Sequence, residues 1–199
     1  MQDHIFSAIP ESYAVIEEAT RDLAFTMSSD RRTGSLLKTL VASKKSGRFL
    51  ELGTATGLAT SWILQGMDEN SKLISIDINK TLMEVARQHL ADSRIEFVLA
   101  DGYQWLPAYQ GEKFDLVFAD AIPGKYDLFE ETLAMVAVGG FYVVDDIFPQ
   151  AKWPAGHAER VEGFTTMLEK RKDITLTKLN WSTGIIIVVK LAGARGSHH

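Results

Sequence analysis

The 199-residue chain contains no cysteine, which excludes disulfide bonds and thiolate metal sites. It has no apolar run that approaches the ~20 residues needed to cross a membrane. It also lacks an excess of basic residues: the formal net charge is −5, which argues against a broad nucleic-acid-binding face. The first residues, MQDHIFSAIPES, lack the basic head and apolar stretch of a signal peptide. Together these absences predict a cytoplasmic protein without a membrane or nucleic-acid partner.

The length and the hydrophobic content of 46% are typical of one globular domain with a real core. We find no internal repeat, low-complexity tract or linker. We therefore expect a single domain over residues 1–191, with N-terminal helices that cover the substrate and cofactor in 1–46 and the core in 47–191. Residues 192–199 end in ARGSHH, which is typical of a purification tag, so the terminal histidines are excluded as site residues.

Apolar strands and helices alternate along the core, and five such alternations predict a doubly wound α/β fold with a mostly parallel sheet. Two final strands separated by a few residues predict an antiparallel C-terminal hairpin. Ligands in such sheets bind beyond the carboxyl ends of the strands. The predicted strands are 49–52, 72–77, 94–100, 114–120, 139–146, 173–180 and 184–191, and the predicted helices include 10–27, 33–45, 81–90, 126–136 and 158–170.

The turn after the first strand, in FLELGTATGLATSWIL, carries the pattern E-x-G-x-x-x-G on Glu51, Gly53 and Gly57. A dinucleotide fingerprint needs a second glycine where Ala55 stands, because the backbone must approach the pyrophosphate. A Walker loop needs Gly-Lys-Ser/Thr, whereas two apolar residues follow Gly57. The turn therefore argues against both a dinucleotide and a bound nucleotide phosphate.

A carboxylate stands at or just after the end of every predicted parallel strand: Glu51, Asp77, Asp101, Asp120, and the pair Asp145 and Asp146. Any one of them is compatible with a helix cap, but the set favours a ligand rich in hydrogen-bond donors and positive charge. S-adenosylmethionine fits, with its ammonium, sulfonium, ribose diol and adenine amine. Asp77 is placed to accept from the ribose hydroxyls, and Asp101 to face the adenine amine.

With these motifs the sequence resembles the class I S-adenosylmethionine-dependent O-methyltransferases of the catechol and caffeoyl-CoA type. The resemblance covers nearly the whole chain and implies a Rossmann-like methyltransferase fold of seven strands with a reversed last strand. It also implies a homodimer, and methyl transfer to a hydroxyl of a small catechol-like or hydroxycinnamoyl-like acceptor. The segments that carry it are MSSDRRTGSLLKTL, FLELGTATG, ISIDIN, FADAIPGKY and GGFYVVDDIF.

The resemblance and the strand-end pattern together give a predicted cofactor site. The glycine turn would hold the methionine portion, the acid after the second strand the ribose, and the residues after the third strand the adenine. Its predicted members are Ser29, Glu51, Gly53, Thr54, Ala55, Gly57, Asp77, Ile78, Asp101, Gly102 and Asp120.

The resemblance also implies a divalent metal site on Asp120, Asp145 and Asp146, the last standing where the family usually has asparagine. Three converging carboxylates repel one another, and a hard cation such as Mg²⁺, Mn²⁺ or Ca²⁺ relieves this repulsion. A capping or protonated aspartate is the alternative. The predicted metal would bind the acceptor oxygen and favour its deprotonated form.

The predicted catalytic residues are Asp120, Lys125 and His157. Some family members carry a catalytic lysine three residues after the first metal aspartate, but Pro123 occupies that position here. Lys125 and His157 are therefore the candidates for the base, although His157 is also compatible with packing in the loop. That loop, Ile147–Arg160, is predicted to form part of an acceptor lid.

Three other interpretations stay open to different degrees. An RNA methyltransferase would use the same site but needs a basic surface, and only short runs such as Lys170–Lys172 exist. A module that only binds the cofactor is compatible with Pro123 at the lysine position. A nicotinamide-dependent oxidoreductase is disfavoured by Ala55 and by the two carboxylates after the fifth strand.

Overall fold

The computed structural model describes residues 8–150 and 153–192, so the predicted tag lies outside the described residues from 193 onwards. The described residues contain seven strands in one sheet, in the order β3-β2-β1-β4-β5-β7-β6. Strands β1 to β5 pair in parallel, and β7 is antiparallel to both β5 and β6. The strands are β1 Arg48–Leu52, β2 Lys72–Asp77, β3 Ile95–Leu99, β4 Phe114–Ala119, β5 Val136–Val144, β6 Ile174–Leu179 and β7 Ile185–Lys190.

Helices cover both faces of the sheet, which confirms the predicted doubly wound α/β fold. One apolar cluster joins the sheet to α5, α6 and α7, and a second joins the other face to α1 to α4. No helix among the described residues has the length and hydropathy to cross a bilayer. The helices are α1 Tyr13–Asp22, α2 Arg31–Ala42, α3 Leu58–Gly66, α4 Lys80–His89, α5 Gly102–Ala108, α6 Phe129–Met135 and α7 His157–Glu169.

The observed helix starts differ from the predicted ones by one to three residues. Helix α4 begins at Lys80, one residue before the predicted start, because Asn79 caps it: its side chain accepts from the backbone N–H of Leu82 at 3.1 Å. Helix α6 begins at Phe129 instead of residue 126, because Leu128 adopts a left-handed backbone with φ of 57°. The residues before it, 122–127, form a separate tight turn.

The strand order reverses at β1, which pairs with β2 on one side and with β4 on the other. The loop after β1 leads to α3 on one face of the sheet, and the loop after β4 leads to α6 on the other face. A crevice therefore lies beyond the carboxyl ends of β1 and β4. The topology thus brings the ends of β1, β2, β4 and β5 to one edge of the sheet. We refer to it below as the catalytic edge.

Candidate functional site

A cavity of about 370 Å³ lies at the catalytic edge, beyond the ends of β1 to β4. Five of the predicted cofactor residues line it: Gly53, Asp77, Ile78, Asp101 and Gly102. The other walls are apolar and were not predicted as cofactor residues. They include Ala100, Tyr103, Ala121, Ile122 and Pro123.

Gly53 shows why the turn after β1 requires glycine. Its φ is +103°, and a Cβ at this position would lie 2.7 Å from the backbone oxygen of Asp120. The turn is held against β2 by the backbone N–H of Gly53, which donates to the carbonyl of Ile76 at 2.9 Å. A side chain here would push apart the ends of β1 and β4, between which the cavity opens.

Asp77 fixes the floor of the cavity. One carboxylate oxygen accepts from the backbone N–H of Ala55, and the other from that of Asn79, both at 2.7 Å. A carboxylate has about four acceptor positions, so each oxygen can still accept from a ligand hydroxyl. Asp101 caps α5 by accepting from the backbone N–H of Tyr103 at 2.9 Å, and it also faces the cavity.

Glu51 lies beneath the turn and is fully buried, so it supports the cavity without lining it. One of its oxygens accepts from the hydroxyls of Thr60 and Ser75 at 2.6 and 2.5 Å, while the other has no hydrogen-bond partner among the described residues. Burial raises the pKa of the Glu51 carboxyl to about 7, and the nearby charge of Asp77 adds to the rise. Thr54 is also buried, and its hydroxyl contacts that of Ser75 at 2.6 Å.

We expect Glu51→Gln to flatten the dependence of stability on pH. In the native chain the folded state keeps the Glu51 proton up to about pH 7, whereas an unfolded glutamate loses it near pH 4.5. The free energy of unfolding should therefore fall as the pH rises through this window, by about 3 kcal/mol. Urea unfolding of both proteins at pH 4.5 and pH 8 measures the difference, and two parallel curves would contradict it.

Three carboxylates lie at the ends of β4 and β5, and each accepts a hydrogen bond from the chain itself. The hydroxyl of Ser29 donates to Asp120 at 3.1 Å, and that of Thr183 to Asp145 at 2.5 Å. Burial raises the pKa of Asp120 well above its usual range and that of Asp145 to about 6, and the charge of Asp145 adds to the effect on Asp120.

These carboxylates do not fit the predicted metal site, although oxygen donors suit a hard cation. Among the described residues, no three acidic, histidine or cysteine side chains lie close enough together to hold a metal ion. The side-chain amide of Gln150 donates to Asp146 at 2.5 Å, and the backbone N–H of Asp146 donates to Asp145 at 2.8 Å. Asp120 and Asp145 also lie within electrostatic reach of the buried side chain of Lys125, whose charge would repel a cation.

Lys125 and His157 both contact Tyr126. The ammonium nitrogen of Lys125 lies 5.0 Å from the centre of the Tyr126 ring, and the imidazole Nε2 of His157 lies 3.4 Å from its hydroxyl. The pKa of His157 is lowered by burial and by the charges of Lys125 and Arg160. The structure therefore brings both candidate bases near one tyrosine and favours a neutral imidazole.

His157 and Trp153 also pack against each other, with ring centres 4.6 Å apart. Trp153 packs against the core cluster as well, so it anchors the loop in addition to forming an aromatic surface. Tyr126, Trp153 and His157 thus form an aromatic wall beside the strand-end carboxylates. Tyr126 was not among the predicted site residues, because nothing in a tyrosine before an acidic loop distinguishes it from a packing residue.

The turn between β6 and β7 also reaches the catalytic edge, and the sequence reasoning missed it. Because β7 is antiparallel to β5, its first residue lies beside the end of β5. This places Thr183 against Asp145, and the indole N–H of Trp181 donates to the backbone carbonyl of Arg32 at 2.9 Å. A search for polar residues in the turn of the predicted hairpin, WSTG, would have found it.

Asp127 connects the cavity to the loop side of the site. One of its oxygens accepts from the hydroxyl of Tyr103 at 2.6 Å, and the other pairs with Arg160 of α7 at 2.5 Å.

A protein-family model described as a methyltransferase domain matches residues 50–147, a segment that begins within β1, ends after β5 and includes the residues that line the cavity. The O-methyltransferase hkm8 of Aspergillus hancockii is 27% identical over 73% of this chain and 63% of its own length. The catechol O-methyltransferase of Mycobacterium tuberculosis is 33% identical over 44% of this chain and 42% of its own length. The chain thus matches less than two thirds of the length of these relatives.

Solved structures share the fold. The O-methyltransferase TomG from Streptomyces achromogenes, solved in complex with S-adenosylmethionine, superposes with a TM-score of 0.80. It is 23% identical, and the match covers 95% of this chain and 92% of that one. This likeness confirms the predicted Rossmann-like architecture.

Proposed function

We propose that this chain is an S-adenosylmethionine-dependent O-methyltransferase that moves a methyl group to a hydroxyl of a small aromatic acceptor of the catechol-like or hydroxycinnamoyl-like kind; its similarity to the methyltransferase-domain model and to the two O-methyltransferases above supports the proposal. The observation that carries the proposal is the cavity at the point where the strand order reverses. The cavity is lined by hydrogen-bond acceptors and apolar side chains. The carboxylates of Asp120 and Asp145 lie at the same edge of the sheet.

The cofactor would lie in this cavity with each portion matched to its surroundings. Asp77 would accept from the ribose hydroxyls with its remaining acceptor positions. The adenine would lie between Ile78 and Pro123, two apolar residues on opposite walls, with Asp101 near its amine. The methionine portion would follow the turn at Gly53 towards Asp120, whose carboxyl group has oxygen atoms that can accept hydrogen bonds from its ammonium group.

The acceptor would lie against the aromatic wall of Tyr126, Trp153 and His157. Planar aromatic acceptors gain from edge and stacking contacts with such rings, each worth about 0.5–1.5 kcal/mol beyond area burial. This wall adjoins the strand-end carboxylates, since the charge of Asp146 acts on both Tyr126 and His157. The arrangement favours a flat, hydroxylated ligand over an extended polymer.

When bound, S-adenosylmethionine supplies an electrophilic methyl group, which the acceptor oxygen attacks while the carbon–sulfur bond breaks and its electron pair stays on sulfur. The chain contributes placement and proton transfer. His157 would take the hydroxyl proton on its neutral imidazole. Asp120, held by the hydroxyl of Ser29, and the turn at Gly53 would hold the reacting groups in line.

A screen of acceptors with labelled methyl donor tests the proposal. Catechols and hydroxycinnamoyl thioesters should be methylated on oxygen, whereas nucleosides should not. Transfer to a nucleoside alone would favour the RNA alternative, and tight cofactor binding without transfer to any acceptor would favour a binding module. The homodimer and the cytoplasmic location expected from the sequence stay predictions.

A further inference from the structure

Lys125 is a buried lysine at the catalytic edge, with a side chain only 4% exposed. Burying an ammonium group is costly unless it is paired, so this position calls for an explanation. Within residues 8–150 and 153–192, no carboxylate lies within ion-pair distance of its nitrogen and no group accepts a hydrogen bond from it. The charge of its ammonium group acts on the carboxyl groups of Asp120 and Asp145 at the catalytic edge.

The loop that carries Lys125 is rigid. The backbone N–H groups of Lys125, Tyr126 and Asp127 all donate to the carbonyl of Ile122, at 3.3, 3.1 and 3.3 Å. The N–H of Gly124 donates to the carbonyl of Asp127 at 2.7 Å. These four hydrogen bonds fix the backbone of the turn, so the place of Lys125 at the catalytic edge is set by the fold.

Gly124 makes this direction possible. Its φ is +92°, and a Cβ there would lie 2.2 Å from the side chain of Leu52. The buried hydroxyl of Tyr142 donates to the carbonyl of Gly124 at 2.6 Å and fixes the loop against β5. The glycine thus lets the loop pack tightly on the sheet, which turns the next residue towards the carboxylates.

The surroundings of Lys125 define what it can bind. Its charge acts on Asp120, Asp145 and His157, so it stands among the groups that would surround the reacting oxygen. The ring of Tyr126 lies beneath its nitrogen and leaves the donors directed elsewhere. An oxygen that gains negative charge is the natural partner for an unpaired ammonium in a site with little water.

We propose that Lys125 takes the place of the divalent metal: its ammonium binds the acceptor oxygen directly and stabilises the charge that develops there. This inference rests on the proposed function. The hydroxyl proton passes to His157, the oxygen electron pair forms the bond to the methyl carbon, and the carbon–sulfur electron pair stays on sulfur. The positive charge of the sulfonium is thereby replaced by that of the imidazolium, and Lys125 keeps its own protons throughout.

The first test uses 4-nitrocatechol, whose absorbance reports ionisation of its hydroxyl, bound to the protein with S-adenosylhomocysteine. An adjacent cation lowers the pKa of such a group by about 1–3 units. We expect the pKa of the bound probe to be at least about one unit lower in the native protein than in Lys125→Met. A chelator should leave this pKa unchanged. Lys125→Arg, which keeps the charge, should retain part of the shift.

The second test measures methyl transfer. Lys125→Met should lower turnover by about 10²-fold, as removal of one charge-stabilising donor does in other enzymes. Lys38→Met is the matched control, because Lys38 also lies over an aromatic ring, 5.5 Å from the centre of Trp62, but it is in α2 and not in the loop after β4. Affinity for S-adenosylhomocysteine and the melting temperature of each variant check that the fold is retained.

The outcomes separate the two proposals. A chelator that abolishes both the probe shift and transfer in the native protein, with recovery in Mg²⁺ or Mn²⁺, would overturn the lysine proposal and leave the methyltransferase intact. Full turnover in a folded Lys125→Met would overturn it as well. If the native protein methylates no acceptor at all, the proposed function fails instead. The chelator comparison needs no variant, so it decides even where Lys125→Met does not fold.

Discussion

Replacing Asp77 by alanine is expected to weaken the binding of S-adenosylmethionine by about 10²-fold or more. Hydrogen bonds to a charged group contribute roughly 1.5–3 kcal/mol each, and the ribose diol would lose two of them. The backbone N–H groups of Ala55 and Asn79 would also lose their acceptor, which loosens the turn around the cofactor. Isothermal titration calorimetry measures the change in affinity directly.

Asp68→Ala is the matched control for this variant. Asp68 likewise accepts from backbone N–H groups, those of Ser46 and Asn70, but it lies in the loop before β2, at the opposite edge of the sheet. Both variants should lose some stability in thermal unfolding, whereas only the Asp77 variant should lose affinity. Equal affinities in the two variants would remove Asp77 from the cofactor site.

His157→Gln should lower turnover by about 10²-fold while the affinity for the cofactor is unchanged, because a general base typically contributes 10²–10⁴-fold. Steady-state rates with saturating cofactor measure it. His89→Gln, on α4, is the control and should keep the native rate. If the His157 variant also keeps the native rate, the imidazole only packs in its aromatic cluster and solvent takes the proton.

The pH profile gives a second readout for His157. A base must be neutral to accept a proton, so the rate should fall as the pH falls through the His157 pKa. Because burial and the charge of Lys125 lower this pKa below 6.5, the fall should occur below that value. In His157→Gln this acidic limb should disappear.

The fold was predictable because its signals are local and repeated. The sequence of β4 is almost continuously apolar, which predicts a strand buried on both faces of the sheet. The short gap between β6 and β7 predicts a hairpin. The helix starts were less predictable. Asn79 and Thr81 are both good capping residues, and only the path of the chain out of β2 decides between them.

The polar residues that line the cavity were predictable from the sequence, whereas the apolar ones were not. Asp77 and Asp101 follow strand ends, whose positions at one edge are dictated by the parallel sheet. Ile122 and Pro123 enter the cavity only because the loop after β4 turns tightly over it. No periodic pattern encodes such a turn.

The metal prediction was made without knowledge of the contacts between distant parts of the chain. Sequence position alone brings Asp120, Asp145 and Asp146 to neighbouring strand ends, where mutual repulsion favours a cation. Thr183, from the antiparallel hairpin, donates a hydrogen bond to Asp145. Lys125, from the loop after β4, adds a positive charge that acts on Asp120. Both reduce the repulsion between the carboxylates. The direction of Lys125 depends on the left-handed Gly124 before it, which the sequence does not reveal.

The central claim is methyl transfer to oxygen, and a single-turnover experiment tests it most directly. Protein loaded with S-adenosylmethionine that carries a ¹³C-methyl group is mixed with catechol, and the product is followed by nuclear magnetic resonance. We predict that the labelled methyl appears on a phenolic oxygen, in an amount equal to that of the protein, and that Asp77→Ala fails to load. A protein that binds the labelled cofactor yet leaves the methyl on sulfur with every hydroxyl acceptor offered, or delivers it to nitrogen or carbon, would contradict the account.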